Sequence, residues 1–205
     1  MIIKVCGMRD AENIRAVEAL GIDLMGFIFW PPSSRYAGKK PSYLPEKCRR
    51  VGVFVDAALP EIVEAVKDFR LDVIQLHGHE TPETITALKE VLDPSIRIVK
   101  SLSVKDSGDL EQTSAYEGVC DAFLFDTKGK LPGGNGQQFD WNVLRHYQGK
   151  LPFLLSGGIG PGDAQRIREF DVPGCLGIDL NSRFETAPGL KDADALKTFI
   201  QTIRP

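Results

Sequence analysis

VGVFVDAALPEIVEAVKDFRLDVIQL, residues 51–76, holds one complete turn of the architecture. The run Val51–Val55 is β-branched and apolar on both faces, as a strand buried between two layers must be. Leu59-Pro60-Glu61-Ile62 is a helix start with Pro in the first turn, and Val73–Leu76 is a second short apolar run. Strand, helix and strand at this spacing predict a parallel pair joined by a crossover helix.

Working outward, the same kind of run recurs eight times, at Ile2–Cys6, Leu24–Phe29, Val51–Val55, Val73–Leu76, Ile96–Lys100, Ala122–Phe125, Phe153–Leu155 and Leu176–Leu180. Helical patterns separate most of them. Asp10–Leu20 opens on an N-cap Asp and stops at Gly21, Thr81-Pro82-Glu83-Thr84 leads into Ile85–Leu92, and Pro161–Phe170 and Lys191–Ile203 follow. Weaker helical patterns fall at Pro45–Arg50, Val104–Tyr116 and Trp141–Tyr147. Eight alternating units with no composition break predict an α/β fold, a single (β/α)8 TIM barrel of eight parallel strands over residues 1–205. An open, doubly wound eight-stranded sheet is the alternative.

The 205 residues carry 25 Lys and Arg against 28 Asp and Glu, a net charge of -3, so no basic footprint for nucleic acid or an anionic membrane is expected. The longest apolar stretch, Leu24 to Trp30, is too short to cross a bilayer. Cys6, Cys48, Cys120 and Cys175 are widely separated, with no CxxC pair and no neighbouring His at ligand spacing, which predicts reduced thiols and no bound metal. With no leader pattern before MIIKVC, a cytoplasmic location is expected.

In such a barrel the chemistry sits where strands end. Cys6 ends the first strand and shares its parity with Lys4, so a positive charge stands ready to lower the thiol modestly and make it a base. The plain alternative is a small packing residue. Asp126 ends the apolar run Ala122–Phe125, where it fits a general acid or an Asx turn. Ser156-Gly157-Gly158 before a helix start, with Asn181-Ser182-Arg183 after the eighth strand, fits a phosphate grip, although in isolation it fits a plain turn equally well. Leu131–Gly136 reads as a lid or a bare connection. Arg35 suits a carboxylate clamp or a surface charge, and His77 a ligand contact or a satisfied strand-end histidine.

Taken in order, Lys4–Met8, Gly26–Phe29, Ser34-Arg35-Tyr36, Val51–Val55, Gln75-Leu76-His77-Gly78, Phe125-Asp126-Thr127, Gly133–Gly136 with Phe139-Asp140-Trp141, Ser156-Gly157-Gly158 and Asp179–Ser182 resemble the phosphoribosylanthranilate isomerases along the whole chain. The resemblance implies an enzyme of tryptophan biosynthesis that performs an Amadori rearrangement by acid and base catalysis, without a cofactor. It implies Asp126 as the general acid and Cys6 as the general base. Arg35 falls to the anthranilate carboxylate, Gly157, Gly158, Asn181 and Ser182 to the phosphate, and His77 and Asp179 to the surrounding site. A small phosphosugar is the implied partner, and a monomer or homodimer the implied assembly. Arg183 departs from the pattern, because many relatives have Gly there. Another phosphosugar barrel, such as an epimerase with His and Asp metal ligands or a synthase with catalytic Lys and Glu, is the competing enzyme. A barrel kept only as a binding module is the competing non-enzyme, and it would have no need of Cys6 and Asp126 together.

Overall fold

The computed structural model describes residues 1–127 and 138–204. Eight parallel strands form the barrel: β1 (Ile2–Val5), β2 (Leu24–Ile28), β3 (Arg49–Phe54), β4 (Val73–Leu76), β5 (Arg97–Val104), β6 (Ala122–Thr127), β7 (Phe153–Leu155) and β8 (Cys175–Leu180). Ile2 to Val5 of β1 pair in register with Gly177 to Leu180 of β8, so the sheet closes and the open-sheet alternative is excluded. Alternation of side chains sends Cys6, Val51, Val53, Val73, Val99, Leu124 and Leu154 into the barrel. The opposite faces, with Phe27, Phe54, Phe123, Phe125 and Phe153 among them, meet the outer layer. Burial on both faces is why each strand reads as an apolar run rather than an alternation.

That outer layer contains α1 (Ala11–Glu18), α2 (Leu59–Phe69), α3 (Pro82–Val91), the short α4 (Ala164–Arg168) and α5 (Ala193–Ile203). Asp10, Thr81 and Asp192 cap α1, α3 and α5 by accepting from the backbone N–H groups of Asn13, Thr84 and Ala195. The segments Ser107–Tyr116 and Trp141–His146 take the weaker helical patterns as 3₁₀ turns instead. Pro161–Phe170 divides into a 3₁₀ turn, Pro161–Asp163, followed by α4. Lys191 does not start a helix. It ends a small antiparallel hairpin, β9 (Glu185–Ala187) and β10 (Leu190–Lys191), and α5 begins only after Asp192.

The expected helix at Pro45–Arg50 is also absent, and the reason is tertiary. Glu18, buried at the end of α1, accepts hydrogen bonds from the backbone N–H groups of Glu46 and Lys47 and from the Tyr43 hydroxyl, all at 2.5 Å. With those donors taken, residues 46–48 run as bends rather than a helix, and Arg49 then enters β3 with its N–H donating to the Asp23 carbonyl. The outer face left without a helix is filled by aromatic rings: Phe29 lies 5.0 Å from Phe54 and 4.8 Å from Phe69 of α2.

Burial pushes the Glu18 carboxyl up, but the Tyr43 hydroxyl and the two backbone donors outweigh it and hold the group below its ordinary value. A carboxylate lowered in the folded state adds stability above its unfolded range and loses it as acid protonates it. Glu18→Gln is therefore expected to cost about 1–2 kcal/mol at neutral pH, measured by urea unfolding. The gap from wild type closes on acidification, and a gap that is constant from neutral pH down through the acid range would contradict the role.

Candidate active site

Cys6, Asp126, Asp179 and His77 all stand at or just beyond the carboxyl ends of their strands, so closure of the barrel gathers them at one mouth. Cys6 follows β1, with its N–H bonded to Leu180 O of β8 at 2.9 Å and its thiol buried inside the barrel. Gly26 of β2 makes the room: a Cβ there would come within 2.7 Å of the Cys6 sulfur.

Two residues down the same face, Lys4 is 1% exposed and its Nζ lies 2.9 Å from Asp179 Oδ1. Burial works against the ammonium, but Asp179 more than offsets it, and the Lys4 value is held above the ordinary one. For Cys6 the expected modest lowering is corrected. Burial is the largest influence and pushes the thiol up, and the nearby ammonium groups of Lys4 and Lys191 offset it only in part. Asp179 also accepts from Ser156 Oγ at 3.4 Å; its charge raises the Cys6 thiol, and burial, with the charge of Asp126 adding to it, raises Asp179 itself. It thus bridges β1, β7 and β8.

Asp126, 6% exposed, is hydrogen-bonded at one carboxyl oxygen and stands near the His77 imidazole with the other. Oδ1 accepts the backbone N–H of Thr127 at 2.8 Å, and Oδ2 lies 3.4 Å from His77 Nε2. This bond reaches only the next residue, not the N–H two residues on that an Asx turn takes, and it coexists with the position in the mouth.

The loop after β7 turns at Gly157 and Gly158, with φ of 94° and 68°. A Cβ on Gly157 would lie 2.2 Å from Thr127 Oγ1 and 3.1 Å from Asp126 Oδ1. Gly157→Ala combines that clash with a left-handed backbone, and displacement of Asp126 is expected to lower kcat/KM by about 10²-fold. Steady-state kinetics check this, and an alanine variant of wild-type efficiency would show that the loop tolerates displacement.

Arg35 does find a carboxylate, but an internal one. Its Nε and Nη2 bond Glu185 at 2.7–3.0 Å, and Glu185 also accepts from Gly189 N at 3.0 Å and from Lys191 Nζ. Burial pushes the Glu185 carboxyl up, and Arg35 and Lys191 bring it below its ordinary value. Lys191 reaches on to Asn181 Oδ1 at 2.9 Å. Two cations against one carboxylate leave positive charge on this side of the mouth. Ser182 begins the 3₁₀ turn Ser182–Phe184, and no residue of that turn has positive φ, so the backbone at Arg183 does not require the Gly of its relatives. The Arg183 side chain runs beside Gly160 in the loop after β7, where a Cβ on Gly160 would lie 3.3 Å from its Nε.

With this geometry in place, the comparisons with known proteins are specific. A family model described as N-(5'-phosphoribosyl)anthranilate (PRA) isomerase matches residues 3–202. The chain belongs to that family. Among curated PRA isomerases, the one from Phocaeicola vulgatus is 51% identical over 204 residues, spanning 100% of this chain and 98% of the relative. The one from Parabacteroides distasonis is 46% identical over 209 residues, spanning 99% and 93%. Among solved structures, the PRA isomerase of Thermotoga maritima superposes with a TM-score of 0.83 at 30% identity, covering 100% of this chain and 99% of that one. A PRA isomerase in complex with reduced 1-(O-carboxyphenylamino)-1-deoxyribulose 5-phosphate gives 0.78 at 28%, covering 100% and 99%.

Glu185 and Lys191 carry no site role in the sequence pattern: Lys191 reads as the first residue of the helical stretch Lys191–Ile203, and nothing local marks the hairpin that brings it back to Glu185. Gln75 is the further residue without a role in the sequence pattern, though a Gln among the apolar residues of a short central strand is a usable signal. The segment Leu131–Gly136, read as a lid or a connection, lies outside the described residues.

Proposed function

We propose that this chain converts N-(5-phosphoribosyl)anthranilate to 1-(2-carboxyphenylamino)-1-deoxyribulose 5-phosphate, a step of tryptophan biosynthesis, with Asp126 as general acid and Cys6 as general base. The observation that supports the residue roles is one proton-carrying group on β6 and another after β1, both buried at the same mouth, with Asp179 electrostatically coupled to each.

Protonated Asp126 gives its proton to the furanose ring oxygen. The C1–O bond breaks, and the anilino nitrogen's lone pair forms the C1=N bond of an iminium ion. That cation forms beside the Cys6 thiol, which burial raises, and it favours loss of the thiol proton to solvent, so that the thiolate stands ready as base. The thiolate removes the C2 proton, the electron pair becomes C1=C2, and the C=N pair returns to nitrogen. The thiol so formed gives its proton to C1 of the enolamine, and the C2 hydroxyl proton passes to the Asp126 carboxylate, which yields the ketone and restores both groups. No electrons leave the substrate.

In this reading the N–H groups around Gly157 and Gly158, together with Asn181 and Ser182, take the phosphate, with the Arg183 side chain alongside. Arg35 binds Glu185 through Nε and Nη2, which leaves the Nη1 edge for the substrate carboxylate. Asp179 fixes Lys4 beneath Cys6, and His77 orients Asp126.

Purified protein given phosphoribosylanthranilate, formed in situ from anthranilate and ribose 5-phosphate, is expected to consume it without added metal, followed as loss of substrate fluorescence. Protein inert in that assay would overturn the reading.

A further inference from the structure

Gln75 is 1% exposed inside the barrel, two residues before His77 on the same face of the chain. Its Nε2 donates to Ser101 Oγ at 3.0 Å and stands 3.3 Å from His77 Nδ1. Its Oε1 is buried and has no hydrogen-bond partner among the described residues. On the other side of the imidazole, Nε2 lies 3.4 Å from Asp126 Oδ2.

With Nε2 turned toward the ring, the amide selects one proton arrangement. An amide N–H only donates, so the Nδ1 that faces it presents a lone pair, and a neutral ring then carries its hydrogen on Nε2, toward Asp126. An imidazolium would place an N–H at both nitrogens and would call for the amide oxygen at Nδ1. That oxygen is instead turned to a spot that gives it no donor, an arrangement that costs free energy.

We propose that Gln75 is a positioning residue that keeps His77 neutral, with its hydrogen on Nε2, so that the acid Asp126 stands beside a neutral donor rather than a fixed cation. A positive charge 3.4 Å away in a water-poor site would hold Asp126 as a carboxylate and withhold the proton that ring opening needs. The inference rests on Asp126 being that acid. The other charged groups around the pair are matched among themselves. Lys4 of β1 is paired with Asp179 of β8 at 2.9 Å. Lys100 of β5 is paired with Glu80 at 3.1 Å and donates to the carbonyls of Leu76 and Gly78, on either side of His77. His79 at the rim is paired with Asp56 at 3.0 Å. A neutral His77 leaves this neighbourhood without an unmatched cation at Asp126.

The test is proton–nitrogen correlation NMR of the ¹⁵N-labelled full-length protein, in which only three histidines need assignment, combined with steady-state kinetics. Wild type at neutral pH is expected to show His77 as the neutral Nε2–H tautomer. Gln75→Glu puts an obligate acceptor at Nδ1 and is expected to make the ring cationic, with kcat down about 10²-fold and KM little changed. Gln75→Met removes the donor and is expected to abolish the tautomer preference with a smaller loss of kcat. A wild-type His77 that is cationic or carries its hydrogen on Nδ1 would overturn the proposal. So would a Gln75→Glu enzyme with a cationic His77 and undiminished kcat. Should the Glu variant fail to fold, the wild-type tautomer and the Met variant still decide. A fully active Asp126→Asn enzyme would instead remove the acid assignment, while the His77 spectrum is read independently of it.

Discussion

Cys6→Ala is expected to lower kcat about 10⁴-fold or to the detection limit, at the upper end of what one general base contributes, while the protein folds. The fold survives because Cys6 occupies a slot that Gly26 leaves open and bonds through its backbone N–H, which alanine keeps. Removing the sulfur leaves Lys4 paired with Asp179, so that carboxylate cannot take its place without breaking the pair. The pH profile supplies a second readout. Since burial raises the Cys6 thiol, the thiolate fraction of the free enzyme is small at neutral pH and grows with alkalinity. Wild-type kcat/KM should therefore climb from neutral into alkaline pH, and Cys6→Ala should lose that rise. Retention of more than a tenth of wild-type kcat would sink the assignment.

Asp126→Asn is expected to be the second largest effect, a loss of about 10²–10⁴-fold in kcat with KM little changed. Asparagine keeps an oxygen to accept from Thr127 N–H, so the local geometry persists, but its amide has no acidic proton to give to the ring oxygen. Circular dichroism checks the fold, and single-turnover kinetics locate the block at ring opening. An Asn variant that opens the ring at the wild-type rate would reduce Asp126 to its structural bond.

Some of this was legible in the residue order. Runs such as Val51–Val55 and Val73–Leu76 read as strands because both of their faces are buried, and the start signals at Asp10 and Thr81 mark helices that form. Pro45–Arg50 and Lys191 were misread for one reason. The backbone donors at Glu46 and Lys47 are taken by Glu18, some thirty residues earlier, and Lys191 is tied through backbone and side-chain bonds to Asn13, Asn181 and Glu185. Local periodicity carries no information about such partners.

Alone, the sequence of 205 residues determined eight strand units with helical patterns between most of them and the positions along the chain where reactive groups stand, because these follow from periodicity and from strand-end residue types that act locally; closure into a barrel was decided by the pairing of β1 with β8. Only the tertiary structure decided what those groups do to one another. Burial raises Cys6 instead of lowering it, Glu185 occupies one edge of Arg35, and Gln75 faces the imidazole that faces Asp126. Desolvation and hydrogen-bond direction depend on which distant strands closure brings within 3 or 4 Å, and that is a property of the closed barrel rather than of any one segment.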